Sequence, residues 1–240
     1  MKLRIFSLNC WLLPFPLSTN NRGRLSNIIS LVKKHKPDII ALQEVWLKND
    51  VKYVEDSLKD YVFIKSSSRL FNKSGLLTGV LKKNVSYEIQ SFPITKKHNL
   101  IERIARKGYH ILKLSNDLFF VNTHLYAPMI KNEESIAKSQ FTLLQKLMKS
   151  KKGFLVGDFN LDENELEKLN KRFELDKTYN ITWSGSNKLT RTMFNRLFPP
   201  DKKKDYIFKT KKSNITLKTK CIESPIVSDH FAILIDGTIL

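Results

Sequence analysis

Short apolar runs rich in Ile, Val, Leu and Phe succeed one another along the chain, with helical periodicity between some of them. LRIFSLN is the first run. Ser18 and Asn20 then precede a stretch in which Leu25, Ile28, Ile29 and Val32 recur at helical spacing, which predicts a capped helix ended by Pro37. DIIALQEV reads as a fully buried strand, and Val51, Val54 and Leu58 mark a second short helix. YVFIKS, SGLLTGVLKK, VSYEIQSF, GYHILKLS and DLFFVNTHL follow as a strand meander. A long helix is expected from Glu133 to Met148, with Ile136, Leu143, Leu144 and Leu147 on one face. FLVGDFN comes next, then a short helix around Leu166 and Leu169 and an irregular stretch over 173–204. DYIFK, ITLKTKCIES and HFAILIDG are the last strands. Strands outnumber helices and most neighbours are hairpin-like. The expected class is therefore α/β, with two mainly antiparallel sheets face to face and helices on their outer sides. No repeat or linker interrupts the pattern, so one domain over residues 1–240 is expected.

Charge changes this picture more than composition does. Lys and Arg number 42 against 23 Asp and Glu, a net charge of +19. A field of that sign attracts nucleic acid, anionic lipid surfaces or phosphorylated small molecules, although a Lys- and Asn-rich genome produces the same excess without any partner. The basic, apolar start could be read as a signal peptide. Asn9 and two prolines interrupt it and it alternates as a strand does, so it reads as the first core strand, with a cytoplasmic location as the expectation. Cys10 and Cys221 have no ligand-like spacing and read as two buried free thiols.

The candidate chemistry lies where the apolar runs end. Asn9 closes the first, Gln43 and Glu44 the second, Asn122 and His124 a third, and Asp158 and Asn160 a fourth. Asp205 opens another, and Ser228, Asp229 and His230 precede the last. Singly, each could be a turn residue, a helix cap or a satisfied core histidine. Six sets on six strands suggest one pocket at a common edge. Oxygen ligands without thiolate favour a hard cation, Mg²⁺ or Mn²⁺. Histidines beside acids suggest proton transfer or stabilisation of negative charge. Together they describe metal-assisted hydrolysis of a phosphate ester.

The ordered set LNCW (8–11), LQEVW (42–46), NTHL (122–125), GDFN (157–160), DYIF (205–208) and SDH (228–230) resembles the endonuclease/exonuclease/phosphatase superfamily. LNCW followed by prolines, QEVW and ARKG (105–108) look most like its neutral-sphingomyelinase-like branch. The resemblance implies a DNase I-like four-layered α/β sandwich and a set of roles. Glu44 would be the principal Mg²⁺ ligand, with Asn9 helping to hold metal or phosphate and Asp229 contributing. Asp158 would orient and help deprotonate the attacking water. Asn160 would donate to phosphoryl oxygens, projecting to the same side of an extended chain as Asp158. His230, positioned by Asp205, would act as base or phosphate stabiliser, and His124 would stabilise the transition state or assist the leaving group.

Arg103, Arg106, Lys107 and Lys202, Lys203 and Lys204 flank these motifs and are candidate phosphate contacts; Trp183 resembles a tryptophan that the family keeps near its site. The expected activity is a phosphodiesterase acting on nucleic acid, with a phosphosphingolipid or a catalytically inert binding module as alternatives. A monomer with no obligate protein partner is expected. Substrate choice is assigned to the loops 65–74, 128–134 and 183–200.

Overall fold

The computed structural model describes residues 2–68, 71–81, 85–115, 118–129, 133–190, 200–211 and 213–239. Among them, two six-stranded sheets are built from β1 (Lys2–Leu12), β2 (Ile39–Val45), β3 (Tyr61–Ser67), β4 (Asn72–Leu81), β5 (Ser86–Ser91), β6 (Gly108–Ser115), β7 (Leu118–His124), β8 (Lys152–Asp158), β9 (Phe173–Leu175), β10 (Asp205–Thr210), β11 (Ile215–Ile222) and β12 (Ala232–Ile239). The first sheet runs β11-β12-β1-β2-β4-β3 and the second β5-β6-β7-β8-β10-β9. Pairing is antiparallel throughout except for β1 with β2 and β7 with β8. The fold is the α/β sandwich that the apolar pattern predicted.

Helices α1 (Asn21–His35) and α2 (Lys48–Ser57) cover the first sheet, while α4 (Glu134–Leu147) and α5 (Glu163–Leu169) cover the second; α3 (Leu100–Ala105) precedes β6. Strand alternation assigns each residue its layer. In β1, Ile5 faces the other sheet and Phe6 and Leu8 face α1; in β2, Ile39 and Ala41 face inward and Ile40 and Leu42 outward. In β8, Phe154 and Val156 lie between the sheets and Leu155 lies under α4.

Three local expectations change. Asn20 is the N-cap of α1, but it sits in the left-handed region (φ 49°) without a side-chain cap bond; the Ser18 hydroxyl serves Leu13 O and Asn21 Oδ1 instead. Helix α3 has no counterpart among the predicted elements. Cys10 and Cys221 are both free, but only Cys10 is fully buried. Residues 69, 70, 130–132 and 191–199, within the loops assigned to substrate choice, lie outside the described residues.

Candidate active site

The alternation that fills the inter-sheet layer also delivers the polar residues to it. Continuing inward from Ile5 in steps of two reaches Asn9; from Ile39 and Ala41, Gln43; from Phe120, Asn122 and His124; from Phe154 and Val156, Asp158. The registers bring these ends level, with Asn9 opposite Gln43, His124 opposite Asp158 and Asp205 opposite Asp158. Strands that look built for an interior end in acids and amides because their last inward positions meet in one buried polar cluster between the sheets.

Asn9 joins the sheets. Its Nδ2 donates to Glu44 Oε1 at 3.0 Å and to Asp158 Oδ2 at 2.9 Å, and its Oδ1 accepts the Trp11 N–H at 3.0 Å. Asn9 thus bridges two carboxylates through its amide N–H groups, at the place where it was expected to help hold metal or phosphate. Glu44 (φ 57°), Trp11 (φ 48°) and Asn160 (φ 50°) hold left-handed backbone at the ends of three strands. Such strain in non-glycine residues persists only where the surroundings impose it.

Asp158 sits at the centre. Its Oδ2 is 3.6 Å from His124 Nε2 and 3.9 Å from His230 Nε2. Its Oδ1 accepts the Asn160 N–H at 3.0 Å, so the chain turns here rather than running on extended. The Asn160 amide accordingly donates to Leu125 O at 3.3 Å, which corrects the expectation of two side chains projecting together from a strand. Burial raises the pKa of Asp158, but His124, His230 and Lys204 outweigh it and hold the carboxyl below its ordinary range.

His230 Nδ1 meets Asp205 Oδ2 at 2.7 Å. Burial disfavours its charge, yet Asp205, Asp229 and Asp158 prevail and push its pKa to about 10. His124 is the reverse case: burial first, then the neighbouring Lys107, holds it well below its ordinary value. Among the described residues, neither of its ring nitrogens has a hydrogen-bond partner, and Nε2 stands 3.9 Å from Glu44 Oε1. Burial and neighbouring charges thus push the two imidazoles that flank the carboxylate in opposite directions.

Asp158, Asp205 and His230 each offer a ligand atom, all within 4.8 Å of one another. Asp205 Oδ2 and His230 Nδ1 are engaged with each other, which fits an orienting pair. Glu44, whose side chain keeps 17% exposure, offers a more accessible oxygen. Burial raises its pKa, and the nearby negative charges of Asp229 and Asp158 raise it further, a repulsion that a cation would relieve. An all-oxygen donor set of this kind suits a hard divalent ion.

The flanking residues divide. Trp183 is buried and its Nε1 donates to Asp229 Oδ2 at 3.3 Å, while the Lys204 ammonium lies 4.5 Å from its ring. Lys202 is exposed and borders, with Lys204 and Asn160, a small cavity beside the site. Lys203 is corrected: it is buried, with Nζ bound to Glu163 Oε2 at 2.9 Å and Asp176 O at 3.0 Å, so no donor faces a substrate. Lys107 is also buried, paired with Glu102 Oε1 at 2.8 Å and Leu125 O at 3.1 Å, and reaches the site as a field rather than a contact. Arg103 and Arg106 are exposed on and just after α3. The sequence reading missed Thr182, whose hydroxyl accepts the Lys204 and Asp205 N–H groups, because it stands in an irregular stretch without periodic signal. It also missed the site-facing role of Ser228, whose Oγ donates to Asn9 O at 2.6 Å.

A model of the endonuclease/exonuclease/phosphatase family matches residues 6–230. The chain belongs to that family. Solved structures share its fold. TDP2 from D. rerio, crystallised with a single-strand DNA product, superposes with a TM-score of 0.75 at 21% identity over 99% of both chains. Sphingomyelinase C from Streptomyces griseocarneus gives 0.74 at 12% identity, over 99% of this chain and all (100%) of that one. Sphingomyelin phosphodiesterase 2 from Homo sapiens is 34% identical over 58 residues, which are 24% of this chain and 14% of the relative.

Proposed function

We propose that this family member is a Mg²⁺-dependent phosphodiesterase that cleaves a P–O bond by direct attack of water, acting on a phosphodiester at a lipid surface. The observation that carries the reaction is the Asn9 bridge, which sets Glu44 of one sheet beside Asp158 and His124 of the other. Glu44, with Asp229 near it, would hold Mg²⁺ or Mn²⁺, which supplies Lewis-acid polarisation of a phosphoryl oxygen. Asp158 orients the water and takes its proton as the water oxygen bonds to phosphorus. His230, fixed by Asp205, donates to the phosphoryl oxygens as negative charge builds there. His124, with both ring nitrogens uncommitted, stands beside Asp158 and Glu44 to stabilise the departing ester oxygen.

Two observations bear on the substrate. The charge of +19 suits nucleic acid and anionic lipid alike. Aliphatic side chains exposed on the loops around the site favour lipid, because they offer nothing to a phosphate backbone. Nucleic acid, the first expectation from the sequence, becomes the second reading, supported by the DNA-bound TDP2 of the same fold. Hydrolysis of sphingomyelin vesicles, DNA and RNA with and without Mg²⁺ separates them. Asp158→Asn and Glu44→Ala are expected to lower the divalent-dependent rate by about 10²-fold or more while the thermal transition persists. Unchanged hydrolysis in both variants would refute the reaction; turnover of DNA or RNA but not of lipid would decide for the second reading.

A further inference from the structure

Helix α3 is amphipathic the wrong way round. Glu102 faces inward, where its carboxylate binds Lys107 Nζ at 2.8 Å and accepts the Ala127 N–H at 3.4 Å. Asn99 caps the helix, its Oδ1 accepting the Glu102 N–H at 2.9 Å, and its Nδ2 donates to the Tyr126 hydroxyl at 3.0 Å. The anchor is polar. Leu100, Ile101 and Ile104, on one face by their spacing, point to solvent with 71%, 70% and 73% of their surface exposed. An ordinary surface helix buries that stripe and solvates its acid.

Position gives the inversion meaning. Helix α3 leads into β6, which runs antiparallel to β7, so it lies at the end of the sheet that carries His124 and Asp158. Met129, after β7, and Phe15, after β1, are exposed at 75% and 87% on the same end. By contrast, Val62 and Tyr87, each the second residue of its strand, are exposed at the far end of the sheets from the site. Positive charge accompanies the apolar face, with Arg103 and Arg106 exposed on the helix and its C-cap and Lys96 and Lys97 exposed before it.

We propose that α3 is a docking element for an anionic lipid surface, inserting Leu100, Ile101 and Ile104 into the interface while Arg103 and Arg106 meet the headgroups. Apolar side chains backed by cations are the pattern that such surfaces bind. A nucleic acid would use the arginines but has no use for three aliphatic side chains, since base stacking requires a π face. The proposal rests on the lipid reading above and adds where the enzyme meets its substrate.

The test is co-sedimentation of the full chain with vesicles of phosphatidylcholine and sphingomyelin, with and without phosphatidylserine. Binding is expected to be stronger with phosphatidylserine and to weaken with salt. Ile101→Ser with Ile104→Ser is expected to lower partition by about tenfold per residue, leaving the thermal transition and the hydrolysis of bis-p-nitrophenyl phosphate as in wild type. Asp158→Asn is expected to bind vesicles as wild type does. Its binding without turnover separates docking from chemistry, so a failure of the catalytic reading leaves this result standing. Undiminished vesicle binding by the double serine variant would overturn the proposal. So would a variant effect confined to DNA binding, or one confined to self-association measured by light scattering.

Discussion

Gly157 shows how narrow the constraint at one residue can be. Its φ of 144° is a conformation that L side chains rarely adopt, and a Cβ there would stand 1.9 Å from Thr123 O on the parallel strand β7. Gly153 repeats the arrangement, with φ 145° and Phe119 O at 1.8 Å. The glycines let β8 lie close enough to β7 for Asp158 to come level with His124. Gly157→Ala is expected to cost about 3 kcal/mol or more and to depress activity in the surviving fold, measured by urea denaturation alongside hydrolysis. A fully stable, fully active alanine variant would contradict the close approach. In the sequence, GDFN announces a functional turn, but nothing there says that the Asp158 carboxylate caps Asn160 or that the Asn9 amide N–H groups bridge Glu44 and Asp158. Those assignments depend on which donors the fold brings within 3 Å.

Among elements, the sheets are pinned behind the site by a chain of buried polar groups. Gln43 Nε2 donates to Asn122 Oδ1 at 2.8 Å, Asn122 Nδ2 donates to Thr78 Oγ1 at 2.9 Å, and Thr78 Oγ1 lies 2.9 Å from His110 Nδ1. Four strands, β2, β7, β4 and β6, thereby hold a mutual register one step in from Glu44 and His124. Asn122→Leu strands the Gln43 amide and the Thr78 hydroxyl and should cost about 2–4 kcal/mol. Adding Gln43→Leu should recover part of that loss, a positive coupling in a double-mutant cycle by urea denaturation; strict additivity would argue against a connected chain. The strands themselves were legible because their period of two is strong in Ile, Val and Phe. Helix α3 was not, since six residues give little periodicity and its apolar side faces water. Gln43 and Asn122 were visible as polar strand ends, whereas Thr78 and His110 carried no signal within their own strands.

For the whole molecule, His110 links the fold to pH. Buried, with Nε2 unpartnered, its pKa is lowered to about 3. The unfolded chain's imidazole titrates near 6.5, so between those values the unfolded state takes up a proton that the folded state refuses. The stability is complete above pH 6.5 and falls as pH drops toward 3, by up to about 1.4 kcal/mol per pH unit. His110→Asn keeps a polar atom near Thr78 and removes the titration. The loss of stability between pH 7 and pH 4, measured by urea midpoints, should therefore be about 3 kcal/mol smaller in the variant; an equal loss would rule out His110 as the cause.

The sequence by itself determined most strands and most helices, the order of the polar motifs and the sign of the surface charge, because these follow from local periodicity, residue chemistry and counting; the short β9 fell in a stretch read as irregular. The tertiary structure alone decided which strand ends meet in one buried cluster and how two histidines of the same type are shifted in opposite directions. It also decided that Lys203 serves the interior while α3 turns its aliphatic side outward. Each of those depends on partners far away in the chain, and a buried group's charge or orientation is set by the few atoms that surround it.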